Sequence, residues 1–248
     1  MIPKKVPTAM MGIMAVLMLV LTSCRGAIPP FSASPAPTSA PHPEAMANGA
    51  TGWVKPAVIY VYDSPGSLDP SRAERAFSNR NPFGGPQVFA LKTAFADWFE
   101  IVLPVRPNGT TGWIHRRDID IRYTTHRVEV DVSARTASVY EGSTPLLRTK
   151  VVVGKRSTPT PLGTFYINVN IDRRGAVDAY GPYILGLSGF SEILSSFNGG
   201  EPTIGIHGTN RPDLLGSAAS NGCVRFPNDL ITFMHQVLPL GTPVVIVP

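Results

Sequence analysis

From Arg127 the chain keeps a two-residue rhythm, in which Val128, Val130 and Val132 alternate with Glu129 and Asp131. A helix would scatter these valines around its axis, whereas a strand gathers them on one face, so the pattern dictates a half-buried β-strand. Ala137 and Val139 continue the rhythm after a turn at Ala134-Arg135. Leu146 to Val153 follows the Glu141-Gly142-Ser143 turn, and Gly163-Thr164-Phe165-Tyr166-Ile167 supplies a further strand. One stretch has a convincing helical period: Leu230, Ile231, Phe233, Met234, Val237 and Leu238, with Asn228 or Asp229 as its cap. Gly241-Thr242-Pro243 then turns the chain into a last strand, Val244 to Val247. The expected fold class is therefore mainly β, with a single helix near the C-terminus.

Residues 51–122 read as a separate small β-domain. Val58 to Tyr62 and Trp98 to Leu103 are strand candidates, and Asn108-Gly109 is a hairpin turn leading into Thr111-Gly112-Trp113-Ile114. Over about residues 96–120 this stretch resembles bacterial SH3-like domains, which implies a small barrel. Trp53, Trp98 and Trp113 all fall here. They either form the barrel core or line a groove for glycan or peptide. Residues 64–86, rich in Ser, Pro, Arg and Asn, read as a long loop.

The first 23 residues have the composition of an export signal: Lys4 and Lys5, then thirteen residues from Ala9 to Leu21 without a charge. That run is too short to span a bilayer. Leu21-Thr22-Ser23-Cys24 resembles the lipobox of bacterial lipoproteins, which implies acylation of Cys24, a membrane anchor and an extracytoplasmic location facing the cell wall. The alternative is an ordinary signal peptide. Residues 24–50 are Pro-, Ala- and Ser-rich, a semi-rigid spacer. Removal of residues 1–23 leaves 20 basic against 17 acidic side chains, a net +3 where the full chain carries +5. This mild excess selects no partner by itself.

Cys223 is the one other cysteine. Its only possible disulfide partner is Cys24, at the start of a tether and consumed if lipidated. A free thiol in an oxidising compartment calls for a chemical use, the alternative being an inert buried cysteine. The thiol lies in Ser220-Asn221-Gly222-Cys223-Val224-Arg225-Phe226, just before the helix, and His207 lies upstream in the apolar Gly205-Ile206-His207-Gly208-Thr209 strand. A nearby imidazole and aligned backbone N–H groups favour a thiolate, so the pair reads as a cysteine acyl-transfer site. His42, His115, His126 and His235 are weaker candidates, with His235 expected in solvent on the helix. His207 and Cys223 lack a third ligand at zinc-like spacing, and no basic stripe with interleaved aromatics suggests nucleic acid.

These motifs occur in the order found in the L,D-transpeptidase catalytic domain, the YkuD fold, which this chain resembles from about Arg127 to Pro248. They are the valine hairpin, Thr158-Pro159-Thr160-Pro161-Leu162-Gly163-Thr164-Phe165, Gly181-Pro182-Tyr183, Ile206-His207-Gly208-Thr209, Ser220 to Phe226, and the closing Gly241-Thr242-Pro243-Val244. The resemblance implies a β-sandwich domain at 123–248 with one helix after the catalytic cysteine. It implies Cys223 as nucleophile, His207 as base, and the Gly208 carbonyl as the group that fixes the imidazole tautomer. Backbone N–H groups of Asn221, Gly222 and Cys223 would form the oxyanion hole, and Tyr183, Arg225 and Ser220 are candidate substrate-binding residues. Arg225 either pairs with a substrate carboxylate or with Asp213 or Asp229. The family usually has His at the position of Asn221. If that residue acts through its main chain, Asn substitutes for it; if its imidazole activates the thiol, this enzyme is slower.

The expected reaction uses peptidoglycan stem peptides as acyl donor and acceptor, forms 3→3 cross-links with loss of a terminal D-alanine, and needs no cofactor. Carbapenem-type β-lactams are the expected inhibitors. With water as acceptor the same site is an L,D-carboxypeptidase. A third possibility is a non-catalytic wall-binding lipoprotein.

Overall fold

The computed structural model describes residues 49–176 and 178–248, all within one compact unit. The expected signal peptide, Cys24 and nearly all of the spacer lie outside the described residues. Among the described residues no helix is long and apolar enough to cross a membrane.

The first part contains β1 (Ala50–Val54), β2 (Val58–Val61), β3 (Arg75–Ser78), β4 (Val88–Phe95), β5 (Trp98–Val102), β6 (Thr111–His115) and β7 (Ile119–Tyr123). An antiparallel sheet in the order β6-β5-β4-β1-β7 faces the β2–β3 ribbon. Ile59 and Val61 from the ribbon join Phe89, Leu91, Ile101 and Ile114 in one core. The stretch expected as a loop over 64–86 thus contains β3, which is too short and too exposed to show a period, since only Phe77 turns inward. Trp98 is buried, edge-on to Tyr62, while Trp53 lies half-buried under the Arg122 guanidinium at 3.7 Å.

The second part contains β8 (His126–Asp131), β9 (Thr136–Glu141), β10 (Thr144–Lys150), β11 (Val153–Gly154), β12 (Gly163–Asp172), β13 (Tyr183–Phe190), β14 (Thr203–His207), β15 (Ala218–Ser220), β16 (Val224–Arg225), helix α1 (Asn228–Val237) and β17 (Pro243–Val247). In place of two stacked sheets, one eight-stranded mixed sheet runs β10-β9-β8-β17-β12-β13-β14-β16 and curls about its core. Register shifts between Ile167 and Val169 and between Gly186 and Phe190 contribute to the curl, because an irregularity bends the strand that carries it. Val128 and Val130 turn inward as their alternation requires, beside Val244 and Ile246 of the parallel neighbour β17. Ile231 and Met234 of α1 close the same core. The helix cap is Pro227, with no side-chain cap bond, rather than Asn228 or Asp229.

Tyr166 of β12 joins the two parts. Its ring is fully buried with Val88, Ala90 and Val102 of the first sheet, and its hydroxyl donates to the Val102 carbonyl at 3.1 Å. Asn108 pairs through both amide atoms with the backbone of Phe190, donating at 2.8 Å and accepting at 2.9 Å. Gly241 passes so close to Thr51 that a Cβ there would lie 1.9 Å from Thr51 Oγ1.

Candidate active site

Parallel pairing of β14 with β16 sets Ile206 opposite Val224 and His207 opposite Arg225. Ile206 and Val224 are both fully buried in the core. Alternation therefore turns His207 and Arg225 to the other face, with Cys223 two residues before Arg225 on that same side. The register of two adjacent strands thus sets the strand that carries His207 beside the one that Cys223 precedes.

The cysteine sits in a turn held from within and from behind. Ser220 is buried, its hydroxyl donating to the Cys223 carbonyl at 2.6 Å and accepting the Gly222 N–H at 3.1 Å. Both functions of that hydroxyl are committed to the turn, so Ser220 shapes the site and does not face substrate. Gly222 has φ +119, and a Cβ there would lie 2.9 Å from Ile204 Cδ1, so only glycine fits without strain. Behind the turn, Thr160 Oγ1 donates to the Gly222 carbonyl at 2.9 Å and Thr158 Oγ1 to the Ser220 carbonyl at 3.3 Å. The Thr-Pro-Thr segment is thus a buttress for the cysteine turn. Its hydroxyl spacing was visible in the sequence, but its partner was not.

Because the Gly222 N–H is taken by Ser220, it is not available to an oxyanion. The N–H groups of Asn221 and Cys223 have no acceptor among the described residues. The Asn221 side chain is exposed, with Oδ1 3.5 Å from Thr158 Oγ1.

His207 is 2% exposed, and its Nδ1 lies 2.7 Å from the Gly208 carbonyl. A carbonyl only accepts, so Nδ1 carries the proton and Nε2 is the unprotonated nitrogen of the neutral ring. Burial holds the imidazole down to about 4, helped by the Arg225 charge and opposed by the Gly208 carbonyl. Burial also raises the Cys223 thiol, against which the Gly205 N–H and the Arg225 charge pull only in part. Burial therefore favours the neutral form of each group, a thiol and an uncharged imidazole. Desolvation disfavours both charged forms, an effect of tertiary burial that local sequence does not carry.

This depression has a measurable consequence. The unfolded histidine, at its ordinary 6.5, takes a proton that the folded one refuses until about 4. The stability His207 contributes is present above the unfolded value and is lost as pH falls from about 6.5 to about 4, amounting to about 3 kcal/mol. Urea unfolding between pH 7 and 4 should show this loss in the wild type and lack it in His207→Gln.

Arg225 is backbone-paired with Val152 in both directions, at 2.9 and 3.0 Å. Asp213 pairs with Arg211, and Arg225 has no ion pair among the described residues, while its Nε is buried without a partner. Tyr183 is buried and stacked on His235 at 3.9 Å between ring centroids, so its ring is closed to a groove. His235, expected in solvent, is held there and donates from Nδ1 to Asn170 Oδ1 at 2.6 Å. The aromatic ring against His207 belongs instead to Tyr180, 4.9 Å away and tilted by 55°. It projects from a polar β12–β13 loop tied by an Arg173–Asp178 ion pair, where no periodic signal marked it. Among the described residues no group of three or more His, Cys, Asp and Glu is placed to hold a metal.

A family model of the L,D-transpeptidase catalytic domain, YkuD, matches residues 125–246. The chain is similar to a Bacillus licheniformis protein bearing the provisional name L,D-transpeptidase YkuD, at 33% identity over 123 residues covering 50% of this chain and 66% of that protein. It therefore spans just under two thirds of that relative's length. Bacillus subtilis YqjB, also provisionally named an L,D-transpeptidase, is 28% identical over 153 residues, covering 60% of this chain and 81% of YqjB. Among solved structures, the L,D-transpeptidase from Mycobacterium smegmatis shares 17% identity, over 62% of this chain and 79% of that one, with a TM-score of 0.40.

Proposed function

We propose, from the match of residues 125–246 to the L,D-transpeptidase catalytic domain, that this chain cross-links peptidoglycan through a thioester on Cys223. The supporting observation is the Nδ1–Gly208 contact at 2.7 Å, which leaves Nε2 as the unprotonated nitrogen of a ring on the strand beside the one that Cys223 precedes. As Sγ attacks the carbonyl of the third stem residue, its proton passes to His207 Nε2, so charge need not separate beforehand. The N–H groups of Asn221 and Cys223 receive the oxyanion. Collapse of the tetrahedral adduct expels D-alanine, whose nitrogen takes the proton back from His207. The side-chain amine of a third-position diamino acid on a neighbouring stem then attacks the thioester and returns a proton through His207 to sulfur. The result is a 3→3 cross-link.

Arg225 serves as the carboxylate-binding cation, and Asn221 acts through its main chain. Carbapenem-type β-lactams acylate the same sulfur. The first sheet and its ribbon form an SH3-like domain, and the chain works at the cell wall, held by a lipid on Cys24. Purified tetrapeptide muropeptides incubated with the protein and analysed by mass spectrometry test the reading. A dimer lacking one D-alanine supports it, a tripeptide without dimer makes the protein an L,D-carboxypeptidase, and no product from folded protein favours a wall-binding role.

A further inference from the structure

We propose that Asn228, in the first turn of α1, is a positioning residue that sets the basicity of His207 through one peptide unit. The Gly208 carbonyl and the Thr209 N–H belong to the same amide plane. The carbonyl accepts the His207 Nδ1–H at 2.7 Å, and the N–H donates to Asn228 Oδ1 at 2.8 Å. The two bonds form a continuous chain from imidazole through amide to side-chain oxygen. Hydrogen bonds in series polarise one another, so an acceptor on the Thr209 N–H makes the Gly208 oxygen a stronger acceptor for the ring. The arrangement does at second hand what a carboxylate does in a catalytic triad, which is to orient the imidazole and stabilise its protonated form.

Two further observations separate this role from helix capping. An Asn at a helix start ordinarily bonds to its own first turn, but here the cap is Pro227 and no side chain caps the helix. The Asn228 amide is instead wedged against the histidine loop: a Cβ on Gly208 would lie 2.3 Å from Oδ1, and one on Gly181 would lie 2.5 Å from it. Both positions are glycine, and the amide oxygen fills the space a side chain would take. Asn228 is itself solvent-exposed, so its truncation should leave the fold largely intact.

The proposal rests on His207 as the base. The other charged or titratable groups acting on that ring are Arg225 from β16, Asp178 from the β12–β13 loop, and the nearby Tyr180 and Cys223, none of which the Asn228 substitutions alter. The test is the acylation rate by a carbapenem across pH, for wild type, Asn228→Ala, Asn228→Asp and His207→Ala. Asn228→Ala should slow acylation on the order of ten-fold, the lower end of what loss of an outer hydrogen-bond partner costs at metal-bound histidines. Its acidic limb should move to lower pH, and the His207 Nδ1–H proton resonance should move upfield. Asn228→Asp restores the acceptor with a full charge, so its rate should recover and its acidic limb should rise above that of the wild type. A wild-type rate and limb in Asn228→Ala would overturn the proposal, as would a loss that Asn228→Asp fails to recover. Wild-type acylation by His207→Ala would remove the base assignment first, and the relay with it.

Discussion

Cys223→Ala is expected to abolish acyl transfer, lowering the rate by a factor on the order of 10⁶, as loss of the nucleophile does in other covalent hydrolases. No other group can take its place, because Cys223 is the free cysteine among the described residues and Ser220 has its hydroxyl committed to the turn. The fold should survive, since the turn is held by Ser220, Thr158 and Thr160 and not by the sulfur. Intact-protein mass after carbapenem exposure and muropeptide analysis are the measurements. Residual cross-linking by a well-folded Cys223→Ala would end the covalent mechanism, because water or an amine would then be reaching the stem peptide directly. His207→Ala offers a graded comparison. It keeps the nucleophile but leaves its proton without an acceptor, and a raised thiol pKa makes that loss severe.

Tyr166→Ala should have the largest effect on stability, about 4 kcal/mol, the usual range for emptying a fully buried aromatic site. The ring has no exposed surface and packs on Val88, Ala90 and Val102, which belong to the other sheet. Tyr166→Phe keeps the packing and loses only the bond to the Val102 carbonyl, so it should cost about 1 kcal/mol or somewhat more if that carbonyl is left dry. Urea unfolding followed by tryptophan fluorescence is well suited to this, because Trp53, Trp98 and Trp113 all lie in the first part while Tyr166 lies in the second. A single transition that shifts by this amount would mean that the two parts unfold together. Two wild-type transitions, only one of them moved by the substitution, would contradict that coupling.

The strands that sequence reveals are those with one wet face. β8 and β9 alternate because one side meets solvent, and α1 declares itself by a stripe of apolar residues. β4 is silent for the opposite reason: Val88, Phe89, Ala90 and Leu91 are all buried, so there is no alternation to read. β13 is obscured by Gly186 and Gly189, which are small because Val169 and Phe165 press against them. At the site, the residue types and their order were legible: His207 lies on the strand beside the one that Cys223 precedes, and its Nδ1 meets the Gly208 carbonyl. The effect of desolvation on each group was not, because it depends on tertiary burial. Tyr180 and Asn228 were missed as well, since each reaches His207 or its loop across a distance in the chain that no local pattern records.

Parallel neighbours cannot be joined by a tight turn, so β14 and β16 are separated by a crossover, residues 208–223. The register of His207 against Arg225 is thus set by strand pairing and not by the length of that excursion. One residue inserted within Thr203–His207 would swing the ring into the interior, whereas residues inserted between Asn210 and Leu215 would lengthen the crossover and leave His207 opposite Arg225. For an engineer, this stretch is a cassette: a loop can be exchanged there while the ladder keeps its register.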